Sequence, residues 1–195
     1  MPQHIRSVAV FCGTRAGIDP SHLAAAKALG AGLAAAGMTL IYGGGGVGLM
    51  GAVAAGTIGG GGRVHGVIPE FLTRIERPHP DLAELEVTTS MHTRKTRMFE
   101  LADAFVTLSG GLGTLDETVE IITWRQLGLH DKPVIILDIN GWAQPFLAVV
   151  EDMIAQGFVD PSNRRLYAVA ADVPAALALL RAAPPPDTAV PPERL

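Results

Sequence analysis

Ala104-Phe105-Val106-Thr107-Leu108-Ser109-Gly110-Gly111-Leu112-Gly113-Thr114-Leu115-Asp116-Glu117 decides the fold. An apolar run of strand length passes through a turn holding three glycines and into helix-forming residues. Such a strand, turn and helix is the repeating unit of a parallel α/β sheet. Glycines let the backbone approach an anion closely, and a helix N-terminus offers unpaired N–H groups at its positive end. Glu117, one turn into the helix, puts a carboxylate beside that anion, which suits chemistry on a nucleotide or sugar phosphate. A plainer reading is available too. Thr114-x-x-Glu117 also fits the capping box, whose side chains only tie up orphan helix amides.

The same alternation extends outward in both directions. Ser7-Val8-Ala9-Val10-Phe11-Cys12 reads as a buried first strand, and Asp19-Pro20-Ser21 starts a helix that stops at Gly37. Met38–Tyr42 is a second strand, followed by glycines from Gly43, an Ala-rich helix ending in Gly59 to Gly62, and the strand Val64–Ile68. Residues 70 to 90 are the least regular part, with a surface loop at Arg77-Pro78-His79-Pro80. Met91–Leu101 reads as a helix, Pro133–Leu137 as a fifth strand, and Trp142–Gln156 as a further helix. These units predict one α/β domain over residues 1–182, a Rossmann-like doubly wound parallel sheet with helices on both faces. Ligands bind such sheets at the carboxyl ends of strands, where both Gly-rich loops fall. Residues 183–195 hold five prolines and are expected to form a disordered tail.

Composition narrows the function. With 48% apolar but only 5% aromatic residues, the core of this 195-residue chain is built from Ala, Val, Leu and Ile. A net charge of −4 argues against general nucleic-acid binding, which needs a basic surface. Cys12 is the only cysteine and reads as a buried thiol, so no internal disulfide forms. No apolar run approaches bilayer-spanning length and no signal-peptide layout opens the chain; no membrane association is expected, and a cytoplasmic location is.

Gly43, Gly45 and Gly48 fit G-x-G-x-x-G literally, with Glu70 as the following acid. That fingerprint normally follows the first strand, however, and here it follows the second. A dinucleotide-dependent oxidoreductase and simple close packing of helix on sheet are the two alternatives. No Gly-Lys-Ser/Thr is present, which excludes a Walker loop. On the helix Met91-His92-Thr93-Arg94-Lys95-Thr96-Arg97-Met98, one face carries Met91, Lys95 and Met98, and the adjoining one Arg94 and Arg97. Those cations form either a solvated face or a phosphate-binding group that also orients Glu117 and keeps it ionised with a lowered pKa. The histidines lack metal-ligand spacing and no G-x-S-x-G elbow is present, so neither a metal site nor a serine hydrolase is expected.

Together these motifs resemble the LONELY GUY family, cytokinin riboside 5′-monophosphate phosphoribohydrolases whose bacterial members often carry the label lysine decarboxylase. The resemblance runs from about Val8 to about Phe158. It rests on Phe11-Cys12-Gly13, Tyr42-Gly43-Gly44-Gly45 with Gly48-Leu49-Met50-Gly51, and Gly66-Val67-Ile68-Pro69. Met91-His92-x-Arg94-Lys95, Gly110-Gly111-x-Gly113-Thr114-x-x-Glu117 and Thr123-Trp124-x-Gln126 continue it. The resemblance implies Arg94 and Glu117 as the catalytic pair. It also implies substrate contacts from Thr14, Gly44, Gly45, Glu76, Lys95, Thr123 and the loop Gly110, Gly111, Leu112, Gly113 and Thr114. This chain departs from the family's usual pattern at Ser109 (a proline), Thr93 (an acid or amide) and Leu112 (an aromatic). The implied reaction is hydrolysis of the N-glycosidic bond of an adenosine 5′-monophosphate, without metal or organic cofactor, in a homodimer or higher assembly. A nucleotide or cofactor carrier of the molybdenum-cofactor type is the alternative on the same fold. Pyridoxal-dependent decarboxylation is not expected, because Lys27, Lys95 and Lys132 are the only lysines and Lys95 belongs to the basic cluster.

Overall fold

A computed structural model describes residues 5–184, so most of the Pro-rich segment 183–195 lies outside the described residues. Seven strands among them form one parallel sheet: β1 Ser7–Phe11, β2 Thr39–Tyr42, β3 Val64–Pro69, β4 Glu84–Thr88, β5 Ala104–Thr107, β6 Val134–Leu137 and β7 Ala168–Ala170. Their order is β4-β3-β2-β1-β5-β6-β7. The helices are α1 Pro20–Ala35, α2 Gly48–Gly59, α3 Met91–Leu101, α4 Leu112–Gln126, α5 Gln144–Ala155 and α6 Val173–Ala182. Successive side chains of a strand point to opposite faces, and the core divides accordingly. Val8, Val10, Cys12, Leu40, Tyr42, Val106 and Leu108 pack with α1, α2 and α6. Ala9, Phe11, Ile41, Phe105 and Val134 pack with Met98 and Phe99 of α3 and Ile121 of α4. Because the order reverses at β1, the carboxyl ends of β1 and β5 open into a crevice.

Small residues let α1 and α2 touch backbone to backbone. A Cβ at Gly30 would fall 2.1 Å from the Val53 carbonyl oxygen, and one at Gly56 2.2 Å from that of Lys27. On the other face Phe11, Phe105 and Phe99 stack in series. Lys132 is buried over the Phe99 ring and donates to the Phe99 carbonyl at 2.7 Å. Burial pulls its pKa down to about 8.

Asp19 caps α1 as expected, accepting from the Ser21 amide at 2.9 Å, and Gly37 follows that helix with φ +69°. Residues 70–90, expected to be irregular, contain β4, which pairs with β3 from His65↔Glu84 to Pro69↔Thr88. It is an edge strand without a fully buried residue, so it carries no apolar run. Five strands were expected. β7, at three residues, is the other addition, and α6 after it was not anticipated.

Candidate active site

A cavity of about 880 Å³ occupies the crevice at the ends of β1 and β5. One end is built by the N-terminus of α4. Gly111 is its extended N-cap and makes no side-chain capping bond, which leaves first-turn amides facing the cavity. Gly110 cannot carry a side chain, since a Cβ there would fall 2.0 Å from Thr114 Oγ1 and 2.9 Å from the Gly13 nitrogen. Trp142 Nε1 donates to the Gly110 carbonyl at 3.3 Å, and the Gly13 amide to that of Ser109 at 3.0 Å. Thr14 faces the cavity from the loop after β1.

The capping reading of Thr114 and Glu117 is corrected by where α4 begins. With Gly111 as the cap, Thr114 already lies in the first turn and Glu117 turns into the cavity. A capping box does occur one helix earlier. Ser90 Oγ accepts from the Thr93 amide at 3.1 Å, and Thr93 Oγ1 from the Ser90 amide at 3.0 Å. Thr93, the third residue of α3, therefore helps cap the helix that presents Arg94.

Arg94 and Glu117 meet inside the cavity, with Nη2 3.9 Å from Oε1 and side chains only 8% and 13% exposed. A solvated basic face is thus ruled out for Arg94. Met91, Arg94 and Met98 share the face of α3 that lines the cavity, whereas Lys95 turns away. Its Nζ binds Asp116 Oδ2 at 2.6 Å and Glu120 Oε2 at 3.3 Å, so a direct phosphate contact from Lys95 is not what this geometry provides. Met98 is buried in the core. The expected lowering of the Glu117 pKa is also reversed. Burial pushes it up to about 7, and the opposing pull of Arg94 and Lys95 does not restore the usual value.

The second glycine loop serves Arg94. A Cβ at Gly43 would fall 2.1 Å from Arg94 Nη2, so this glycine vacates the space the guanidinium fills. Gly44 and Gly45 lie behind it rather than along the cavity, and Glu70 is exposed at the end of β3; the dinucleotide reading gains nothing from them. Glu76 does line the cavity, on a segment fixed by the bond from the Gly46 amide to the Arg77 carbonyl at 2.7 Å. Its Oε2 and Arg94 Nε are buried without a hydrogen-bond partner among the described residues. Gly113, Thr114 and the 87% exposed Leu112 line the cavity, but Thr123 is exposed farther along α4 and does not. His22 and Trp142 line it without having been singled out, since each belongs to an unremarkable helix start or turn in the sequence.

A family model described as "Possible lysine decarboxylase" matches residues 50–180. A cytokinin riboside 5′-monophosphate phosphoribohydrolase of Rhodococcoides fascians is 42% identical over 177 residues, 90% of this chain and 89% of its own. A probable enzyme of the same name from Oryza sativa subsp. japonica is 47% identical over 169 residues, 87% of this chain and 74% of its own. The chain belongs to the LONELY GUY family. Among solved structures, the molybdenum cofactor carrier protein of Chlamydomonas reinhardtii covers 90% of this chain and 95% of its own, with TM-score 0.68 and 24% identity, a likeness of fold. The decarboxylase wording finds no support in the LONELY GUY cavity. Among the described residues no lysine lines it, so none of them places an amine there to form a Schiff base.

Proposed function

We propose that the protein hydrolyses the N-glycosidic bond of adenosine 5′-monophosphates, plain or N6-substituted, releasing free base and ribose 5-phosphate. The observation that carries this reading is the buried Arg94–Glu117 pair in the same cavity as the Gly-rich start of α4. The named activity of relatives at 42% and 47% identity supports it. The α4 amides and Thr14 bind the 5′-phosphate. From Leu112, the first residue of α4, to Glu117 the helix rises about 7.5 Å at about 1.5 Å per residue, a span that suits a ribose. As the bond between C1′ and the base nitrogen breaks, its electron pair leaves with the base and positive charge grows on the ribose. Glu117 as carboxylate stabilises that charge and accepts a proton from the water that attacks C1′; return of that proton to the departing base nitrogen gives the neutral base and restores the carboxylate. Arg94 orients Glu117, while Glu76 accepts from the sugar hydroxyls. Phosphate binding far from the reacting bond is used for positioning, so nucleosides are poor substrates.

The working unit is a cytoplasmic homodimer or larger assembly. No residue of α5 is fully buried in the single chain, and Val149, Met153 and the 80% exposed Phe158 leave an apolar face uncovered. Among the described residues no helix is long and apolar enough to cross a membrane. The reaction is tested by incubating the protein with AMP, isopentenyladenosine monophosphate and adenosine, and following products by chromatography. Equimolar base and ribose 5-phosphate are expected from the nucleotides, and much slower release from adenosine. Tight nucleotide binding with no base released would instead describe a carrier.

A further inference from the structure

His22 joins the cavity wall from the first turn of α1, and its Nδ1 lies 2.8 Å from Ser109 Oγ. Ser109 is almost fully buried and immediately precedes the glycines that open α4, with its own carbonyl held by the Gly13 amide. The pair therefore stands at the anion-binding end of the cavity, away from Arg94 and Glu117. Among the described residues His22 Nε2 makes no hydrogen bond, although the ring itself is fixed through Nδ1. When Nδ1 accepts from the Ser109 hydroxyl, the ring proton resides on Nε2. When the ring is charged, both nitrogens carry protons and Nδ1 donates to Ser109 instead. Both of these states put an N–H donor at Nε2; the remaining neutral tautomer, with Nδ1–H donating to Ser109 Oγ, leaves Nε2 an acceptor, and an anion at Nε2 selects against it.

We propose that His22, held by Ser109, binds the phosphate monoester of the substrate and sets the preference for nucleotide over nucleoside. This rests on the nucleotide reading of the cavity and adds to it a residue whose contact is with the phosphate, not with the reacting bond. Ser109 acts as a positioning residue by fixing the ring. The α4 amides supply fixed partial charge, and His22 adds a side-chain donor from a different element, so the anion is gripped from two sides.

The test combines binding with turnover. Ribose 5-phosphate is titrated calorimetrically into the wild-type protein, His22→Phe and Ser109→Ala, with a nitrogen-15 spectrum of the histidine rings recorded alongside. His22→Phe is expected to weaken binding by roughly ten- to a hundredfold, the worth of one hydrogen bond to a charged group, and Ser109→Ala by less. In the wild type, ribose 5-phosphate shifts the His22 Nε2 resonance. With AMP and adenosine as substrates, kcat/KM for AMP falls more than kcat/KM for adenosine. Unchanged affinity in His22→Phe, a motionless Nε2 resonance, or equal losses on both substrates would overturn the assignment. Ribose 5-phosphate binding that depends on His22, without any base release from AMP, would leave the assignment standing and remove the hydrolase reading.

Discussion

Glu117 carries opposite pressures in one side chain: burial favours its acid form, and Arg94 3.9 Å away favours the carboxylate. With a pKa of about 7, kcat/KM is expected to fall on the acid side of a midpoint near neutrality, because the carboxylate is the working form. A pH–rate profile flat down to about pH 5 would contradict this role. Stability responds with the reverse sign. The fold favours the protonated acid, so the cost of ionising it is absent below the usual carboxylate pKa and complete above about 7. Relative to the parent, Glu117→Gln therefore gains stability between about pH 5 and about pH 8, by up to about 3 kcal/mol. Urea melts at the two pH values check it, and an unchanged difference would count against it. Gly43→Ala pushes a methyl into the Arg94 guanidinium, and a displacement of about 1 Å is expected to lower kcat/KM about a hundredfold while the protein stays folded. Both members of the pair were named through the family resemblance, while residue type and spacing alone left a helix cap for Glu117 and a solvated face for Arg94 open. The protonation of Glu117 was not legible, since it depends on how deeply the facing α3 and the loop after β1 bury it.

At the level of elements, α4 brings its uncapped start to the cavity, where the proposed reaction has it hold the phosphate, and presents Glu117 in its second turn. Its position on the sheet depends on the buried contact between Thr118 Oγ1 and Thr107 Oγ1 of β5 at 2.8 Å. Thr118→Val leaves the Thr107 hydroxyl buried without that partner and is expected to cost about 1–3 kcal/mol in denaturant unfolding. A loss near zero would show that α4 is positioned by other contacts. The units from β1 to β3 and from α3 to β6 were readable because apolar runs alternate with clear start and stop residues, such as Asp19-Pro20 and Gly37. β4 was missed because Glu84-Leu85-Glu86-Val87-Thr88 alternates instead of running apolar, as an edge strand does. Asp172 and Pro174 repeat the start signal of α1, and Asp172 does cap α6 by accepting from the Ala175 amide at 2.8 Å. That signal was present in the sequence and went unread.

In the whole molecule the order β4-β3-β2-β1-β5-β6-β7 dictates where the cavity lies. Reversal at β1 leaves the space between the loops after β1 and β5 uncovered by a crossover, and both loops are rich in small residues. The location of the site was therefore legible, whereas the exclusion of Lys95 and Thr123 from its wall depends on helix rotation that only packing fixes. Apolar residues left exposed on α5 predict self-association. Light scattering on the eluting protein is expected to give at least twice the 20.4 kDa chain mass, and a monomer at micromolar concentration would oppose it.

The most direct measurement is the initial rate of base release from AMP or isopentenyladenosine monophosphate by the wild-type protein, Glu117→Gln and Arg94→Ala, each first shown to be folded. Loss of a positioned acid–base group and of its charge partner is expected to slow release by about a hundredfold or more in each variant, with ribose 5-phosphate appearing in step with base in the wild type. Wild-type rates in either variant, or no base released by the wild-type protein, would contradict the assignment of this cavity as a phosphoribohydrolase site.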